Sequence, residues 1–203
     1  MRDWWLRALL VLQRPRPVFV ALRDDDPESL GDRSEVVLAI VVLAGMATVL
    51  STTTAGSLLD DGSYDGLLVA VWTFIAGGIY GAFAYFVLGA LLDRSVKALG
   101  SQGTYRRSCQ VLAFASVPIA LSLVLWPVKL ALYGQDVFRS GGRDGGAGAH
   151  AFPTLFAAFL AWSIVLLVIG VRAVHGWSWS RSAAATALAL VLPVLLLVSL
   201  SSL

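Results

Sequence analysis

Hydrophobic and polar positions along this 203-residue chain alternate in long blocks, not at strand or amphipathic-helix spacing. Gly66–Leu92 is apolar, Asp93–Gln110 is polar and carries Arg94, Lys97, Arg106 and Arg107, and Val111–Tyr133 is apolar again. At about 1.5 Å of rise per residue, each apolar block is long enough to cross a hydrocarbon core of roughly 30 Å. The pair predicts a transmembrane hairpin with a basic loop at its tip. Further spans are expected on either side. Val36–Leu50 is apolar but too short alone, so the first span is expected to run on through Ser51, Thr52, Thr53 and Thr54 to about Leu59. Hydroxyls allow this because they can bond back to carbonyls one turn earlier or across to a neighbouring helix.

Two more apolar blocks follow the hairpin. Pro153 suits the first turn of a fourth span that ends near Val174. Ser182 can cap a fifth, Ala183 to about Leu200, bent at Pro193. The expected fold is therefore all-α: a polytopic transmembrane bundle of five spans, 36–59, 66–92, 111–133, 153–174 and 183–200. An N-terminal amphipathic helix precedes it. In Met1–Leu22, Trp4, Trp5, Leu6 and Leu9 alternate with Arg2, Arg7, Arg14 and Arg16. Such a segment favours lying in the membrane interface, its cations near anionic headgroups. A docking site for a partner is the sharper reading. Residues 1–35 thus form an interfacial segment with an acidic linker, and 36–203 the membrane domain.

Composition agrees with this division. Hydrophobic residues make up 58% of the chain and charged ones 14%, against about 25% charged in soluble domains. This is a surface built for lipid. No secretory leader is expected, and the chain reads as inserted whole. Twelve of the fifteen cations fall on the side of the N-terminus; Arg139 and Arg143 fall on the other, with Lys129 if it snorkels outward. The positive-inside rule then puts the N-terminus and the basic loop in the cytoplasm, and the C-terminus outside a plasma membrane.

Candidate chemistry is sparse. Cys109 is the sole cysteine, and His150 and His175 lie in different loops, so no disulfide, metal or cofactor is expected. No catalytic residue stands out: the chain has no H-E-x-x-H pair and no paired membrane aspartates. The glycine-rich stretch 134–152 lacks the Gly-Lys-Ser/Thr ending of a phosphate loop and reads as a linker. Gly77-x-x-x-Gly81 and Gly78-x-x-x-Ala82 put a smooth stripe on the second span for close approach of another helix, preferably an internal one. Lys129 is the one formal charge well inside a span. Snorkelling to the headgroups is favoured for it over a functional intramembrane charge.

Three segments carry a family likeness. Gly100–Val124 (GSQGTYRRSCQVLAFASVPIALSLV) has a glycine-flanked Thr-Tyr, basic residues and an apolar helix with an early proline. This resembles the central element of Yip1-domain membrane proteins. Trp4–Glu28 and Gly170–Pro193 are similar to the corresponding regions of bacterial, actinobacterial-like members. The resemblance implies five spans with a cytoplasmic N-terminus and a general partner-binding character. Eukaryotic relatives bind Rab GTPases; without their long N-terminal extension and DLYGP-like motif, no Rab partner is expected here.

The function expected is therefore non-enzymatic: an adaptor or accessory subunit that binds another membrane or peripheral protein. Its candidate interface is Trp4, Trp5, Arg7, Arg14, Arg106, Arg107, Trp177 and Trp179. Membrane lipids and another membrane protein or a second copy are the expected partners, and nucleic acid is not. The alternative is a small transporter or channel with a polar site near Lys129 and Ser51–Thr54.

Overall fold

The computed structural model describes residues 2–24, 31–62, 65–140 and 147–201. Among the described residues every regular element is helical. Helices α1 (Arg2–Leu10) and α2 (Pro15–Asp24) precede α3 (Gly31–Leu50), a 3-10 turn (Ala55–Asp60) and the long α4 (Gly66–Ala98). The next segment is broken into α5 (Tyr105–Ala115), α6 (Val117–Leu121) and α7 (Leu125–Tyr133), with 3-10 turns at Ser122–Val124 and Gly134–Phe138. Then come α8 (Ala147–His175) and α9 (Trp179–Ser201). Among the described residues, three stretches are long and apolar enough to cross a membrane: Gly66–Ala98, Tyr105–Phe138 and His150–His175. Ser34–Leu50 is a shorter apolar helix. The expected fifth span falls in α9, where most side chains beyond residue 191 lie outside the described set.

Four expected boundaries are corrected, three of them by local hydrogen bonding. The first concerns α3, which stops at Leu50 instead of carrying on through Thr54. Ser51 Oγ donates to the Ala47 carbonyl at 2.8 Å and Thr52 Oγ1 to that of Val49 at 2.6 Å. The backbone tightens with them: Ser51 N–H is shared between Ala47 and Thr48, and Thr52 N–H bonds Val49. Hydroxyls expected to tolerate the helix instead compete with it.

The second is the basic loop, most of which is helix. Lys97 Nζ pairs with Asp93 one turn earlier at 2.8 Å, which suits helical spacing. The helix ends only at Gly100, whose φ of +86° needs a residue without Cβ. Gly100 N–H bonds the Lys97 carbonyl and Ser101 N–H that of Val96, both at 2.9 Å. That pair is a Schellman cap. Third, α8 begins at Ala147, so Pro153 lies inside the helix and not in its first turn. Fourth, α9 begins at Trp179: Ser178 takes the capping position, its Oγ accepting from Arg181 N–H, while Ser182 bonds back to the Ser178 carbonyl.

The chain divides into two compact units. The first comprises Met1–Val37, Ala84–Ala115 and Ile164–Leu203, the second Leu38–Phe83 and Ser116–Ser163. In the first unit α2 packs against α5, burying Val18, Phe19 and Leu22. A methyl group added at Gly170 of α8 would lie 2.8 Å from Val111 and 2.9 Å from the Phe19 ring. Close packing at that point depends on a bare backbone.

In the second unit the same principle joins α3 to α4. A Cβ on Gly77 would stand 2.6 Å from Met46 Cα, one on Gly81 would strike the Val41 carbonyl, and one on Gly45 would strike that of Gly77. Gly78, one position round the helix, would meet nothing within 4 Å. Only one of the two small-residue stripes therefore faces α3. Beyond this crossing, Leu59, Val69 and Phe138 form a small core against which Leu50, Leu58 and Trp126 pack.

Candidate functional site

Where the second unit loses helical regularity, it opens a cleft of about 610 Å³. One wall is the end of α3 and its turn, with Leu50, Ser51, Thr52 and Thr53. The opposite wall is the broken segment, with Ser122, Leu125, Trp126 and Lys129. Asp136, Val137, Arg139 and Ser140 line it after α7, and Phe152 and Phe156 from α8. The breaks have a local cause. Pro118 and Pro127 each remove a backbone donor from the helix, and Gly134, with φ +63°, turns the chain at the end of α7.

The Lys129 ammonium is held between aromatic faces. Its Nζ lies 5.2 Å from the centroid of the Trp126 ring and 5.8 Å from that of Phe152, within reach of a cation–π attraction. Both rings are fixed from behind. Trp126 stacks on Phe138 at 5.6 Å with the planes 8° apart, and Phe152 meets Tyr133 edge-on at 6.2 Å. Arg139 reaches Asp136 at 3.9 Å. The segment bearing Arg139 is tied down by Asp60, whose carboxylate accepts from Ser140 N–H at 2.9 Å. Bonds from the Ser140 hydroxyl and amide hold the Asp60 carboxyl below its usual range.

Of the four intramembrane polar candidates, the structure brings Lys129, Thr52 and Thr53 to this one cleft. Thr54 is exposed and instead lines a shallow apolar groove with Trp72, Ile79, Tyr80 and Phe83. Trp126, Asp136, Arg139 and Phe152 escaped the sequence reading. Trp126 had a signal, since it stands three residues before Lys129 and so shares its helix face. Phe152 had none, because only the return of the chain after residue 146 brings it near.

The interface candidates fall in the first unit, and several are occupied there. The Arg107 guanidinium donates to the Arg23 carbonyl at 3.1 Å, and that of Arg181 donates to the Leu99 carbonyl. Both carbonyls lie at helix C-termini, where no intrahelical donor is left for them. Trp177 is covered by Arg181, 4.2 Å from ring centroid to guanidinium carbon, and Trp179 by Arg172 at 4.4 Å. Ser101, whose oxygen accepts from Gly103 N–H, is hydrogen-bonded to His175 Nδ1 at 3.0 Å. Arg14 and Arg106 are exposed and Arg7 is half-buried in α1. Trp5 is exposed, with Leu6, Leu9 and Leu10 beside it on the same helix. Trp4 lies in α1, and its side chain is outside the described residues, as is Arg143.

These features define the class: an all-helical membrane protein with a polar cleft in one unit and a cross-tied loop cluster in the other. Residues 9–202 match the Yip1 domain family, and the chain belongs to it. No curated protein and no solved structure matched the chain.

Proposed function

We propose that the protein is a non-enzymatic, five-span membrane protein of the Yip1 type that works by binding another membrane or peripheral protein. In this reading the N-terminus and the turn at Gly100 are cytoplasmic, the C-terminus is external, and the membrane is the plasma membrane. The supporting observation is the cross-tying of the first unit. Arg107 joins α5 to the end of α2, Arg181 joins α9 to the end of α4, and Ser101 joins the turn to His175. Loops fixed in this way present Arg106 and Trp179 at little entropic cost, and such preorganisation favours recognition. α1 would lie in the interface with Trp5 and Leu9 toward lipid.

The test is crosslinking of the tagged protein in its native membranes, followed by gentle purification. A stoichiometric partner, reduced by Arg14→Ala with Arg106→Ala while membrane insertion is unchanged, is the expected result. Recovery of the protein alone would end this reading.

One observation favours a second reading, a small transporter: Lys129, Thr52 and Thr53 line a single cleft. Ionisable groups within membrane segments commonly mark substrate paths. Flux into reconstituted vesicles that is lost in Lys129→Met would support it, and flux independent of Lys129 would remove it.

A further inference from the structure

The last turn of α8 carries an arginine, Arg172, to which the described part of the chain gives no acceptor. Gly176, at φ +66°, turns the chain just after α8. Trp179 then returns over Arg172, with the guanidinium carbon 4.4 Å from the ring centroid. Arg172 Nε is buried and makes no hydrogen bond, and no carbonyl or carboxylate among the described residues pairs with the terminal nitrogens. Among the described side chains, the half-buried arginines are Arg7, Arg107 and Arg172. Arg107 has the Arg23 carbonyl, and Arg7 has an interaction within the chain. Arg172 has an aromatic face and nothing to receive its N–H donors.

Its surroundings do not supply the missing negative charge. His175 stands one turn on, on the same face of α8, and the charges acting on it are those of Arg107 and Arg181, both positive. Of the acids described in this unit, Asp24 pairs with Arg23 and Asp93 with Lys97, and Glu35 is exposed on α3. A partly desolvated cation without a counter-charge is costly. A guanidinium lying flat on an indole keeps its edge for a bidentate acceptor, and phosphate matches that edge. The Trp179 ring is 54% exposed, and tryptophan settles at the depth of lipid headgroups. Toward the middle of α8, Ile169 and Val165 share the face of Arg172, and Val165 is 43% exposed. A ligand with a phosphate at one end and a hydrocarbon chain at the other satisfies both regions.

We propose that Arg172 and Trp179 form a binding site for the head of an anionic phospholipid. The guanidinium edge takes the phosphate, and the face of α8 at Ile169 and Val165 takes the acyl chain. A zwitterionic lipid offers the same phosphate but brings its own ammonium into a region already rich in cations, so the net anionic lipid is preferred. The site lies wholly within the first unit and depends on neither the partner-binding reading nor the cleft.

The experiment uses the full chain in nanodiscs of phosphatidylcholine doped with phosphatidylglycerol, with retained lipid counted by native mass spectrometry. Phosphatidylglycerol should be retained over phosphatidylcholine. Arg172→Gln should weaken that retention roughly tenfold, the scale of one charge-assisted hydrogen bond. Arg94→Gln removes an exposed arginine of α4 and should change it by less than about twofold. The pair separates a defined site from the general attraction of a basic surface to anionic lipid. Should Arg172→Gln fail to fold, Trp179→Leu takes its place, since the ring is exposed; without the stack, retention should fall about threefold. Equal retention of the two lipids, equal losses in Arg172→Gln and Arg94→Gln, or retention unchanged in Arg172→Gln or Trp179→Leu would overturn the proposal. Displacement of the lipid by inorganic phosphate would also overturn it, assigning Arg172 to a free anion.

Discussion

The two units use the same kinds of residue to opposite ends. Each has arginine or lysine beside tryptophan, and each has hydroxyls bonded to backbone. In the first unit, Arg107 and Arg181 reach carbonyls at helix ends, and Arg172 and Arg181 cover Trp179 and Trp177. There the cations complete the fold. In the second unit Lys129 sits between Trp126 and Phe152 on the wall of a cleft, with Arg139 on the same lining. Residue type alone does not separate the two roles. What separates them is position: Arg107 and Arg181 reach helix-end carbonyls, whereas Lys129 lies on a cleft wall against two aromatic rings.

The contrast can be broken most severely at the helix crossing that shapes the second unit. Gly77→Leu should destabilise the protein by roughly 3 kcal/mol or more, since even a methyl there meets the backbone of Met46. Gly78→Leu, with open space around it, should leave the thermal midpoint in detergent nearly unchanged. Equal effects of the two would show that α3 and α4 do not cross as described.

Next in size is the turn of the first unit. Gly100→Ala forces a side chain into the left-handed region at φ +86° and should cost about 1–2 kcal/mol, read from the same unfolding curve. Arg181→Ala removes the donor to Leu99 and the cover of Trp177, with an expected loss of about 1 kcal/mol. Trp177 should then show a red-shifted emission in a variant holding that tryptophan alone. An unmoved spectrum would mean that Arg181 does not cover the ring.

The smallest effect is electrostatic. Asp60 has its carboxyl depressed below its ordinary 3.8 by the Ser140 hydroxyl and amide. A depressed folded-state value stabilises the protein above the unfolded one, and that contribution is lost as pH falls through the folded value. Stability of wild type should therefore drop faster below about pH 3.8 than that of Asp60→Asn. Parallel curves would detach Asp60 from Ser140.

The helical class and the long apolar segments were legible because composition alone decides them: blocks of this length cannot be anything else in water or lipid. Helix ends were not legible. Ser51 and Thr52 could have continued α3 or stopped it, and both outcomes use the same back-bonds. Asp93 and Lys97 looked like loop residues until their four-residue spacing and the glycine at 100 are read together as the last turns of a helix. The cleft was half legible. Lys129 and the hydroxyls stood out as polar residues in apolar blocks, whereas Phe152 joins them only through the three-dimensional return of the chain. The occupied state of Arg107 and Trp177 was hidden for the same reason, since their partners lie far away in sequence.

The length of α4 has a mechanical consequence. Its 33 residues extend about 50 Å, while a hydrocarbon core takes up only about 30 Å. Its apolar part, ending at Leu92, already exceeds that thickness by about 10 Å. Such a rod fits an ordinary bilayer by leaning, and it stands upright only as the bilayer thickens. Length alone therefore calls for tilt or local thickening of an ordinary bilayer, and the packing of α4 against its neighbours decides between them.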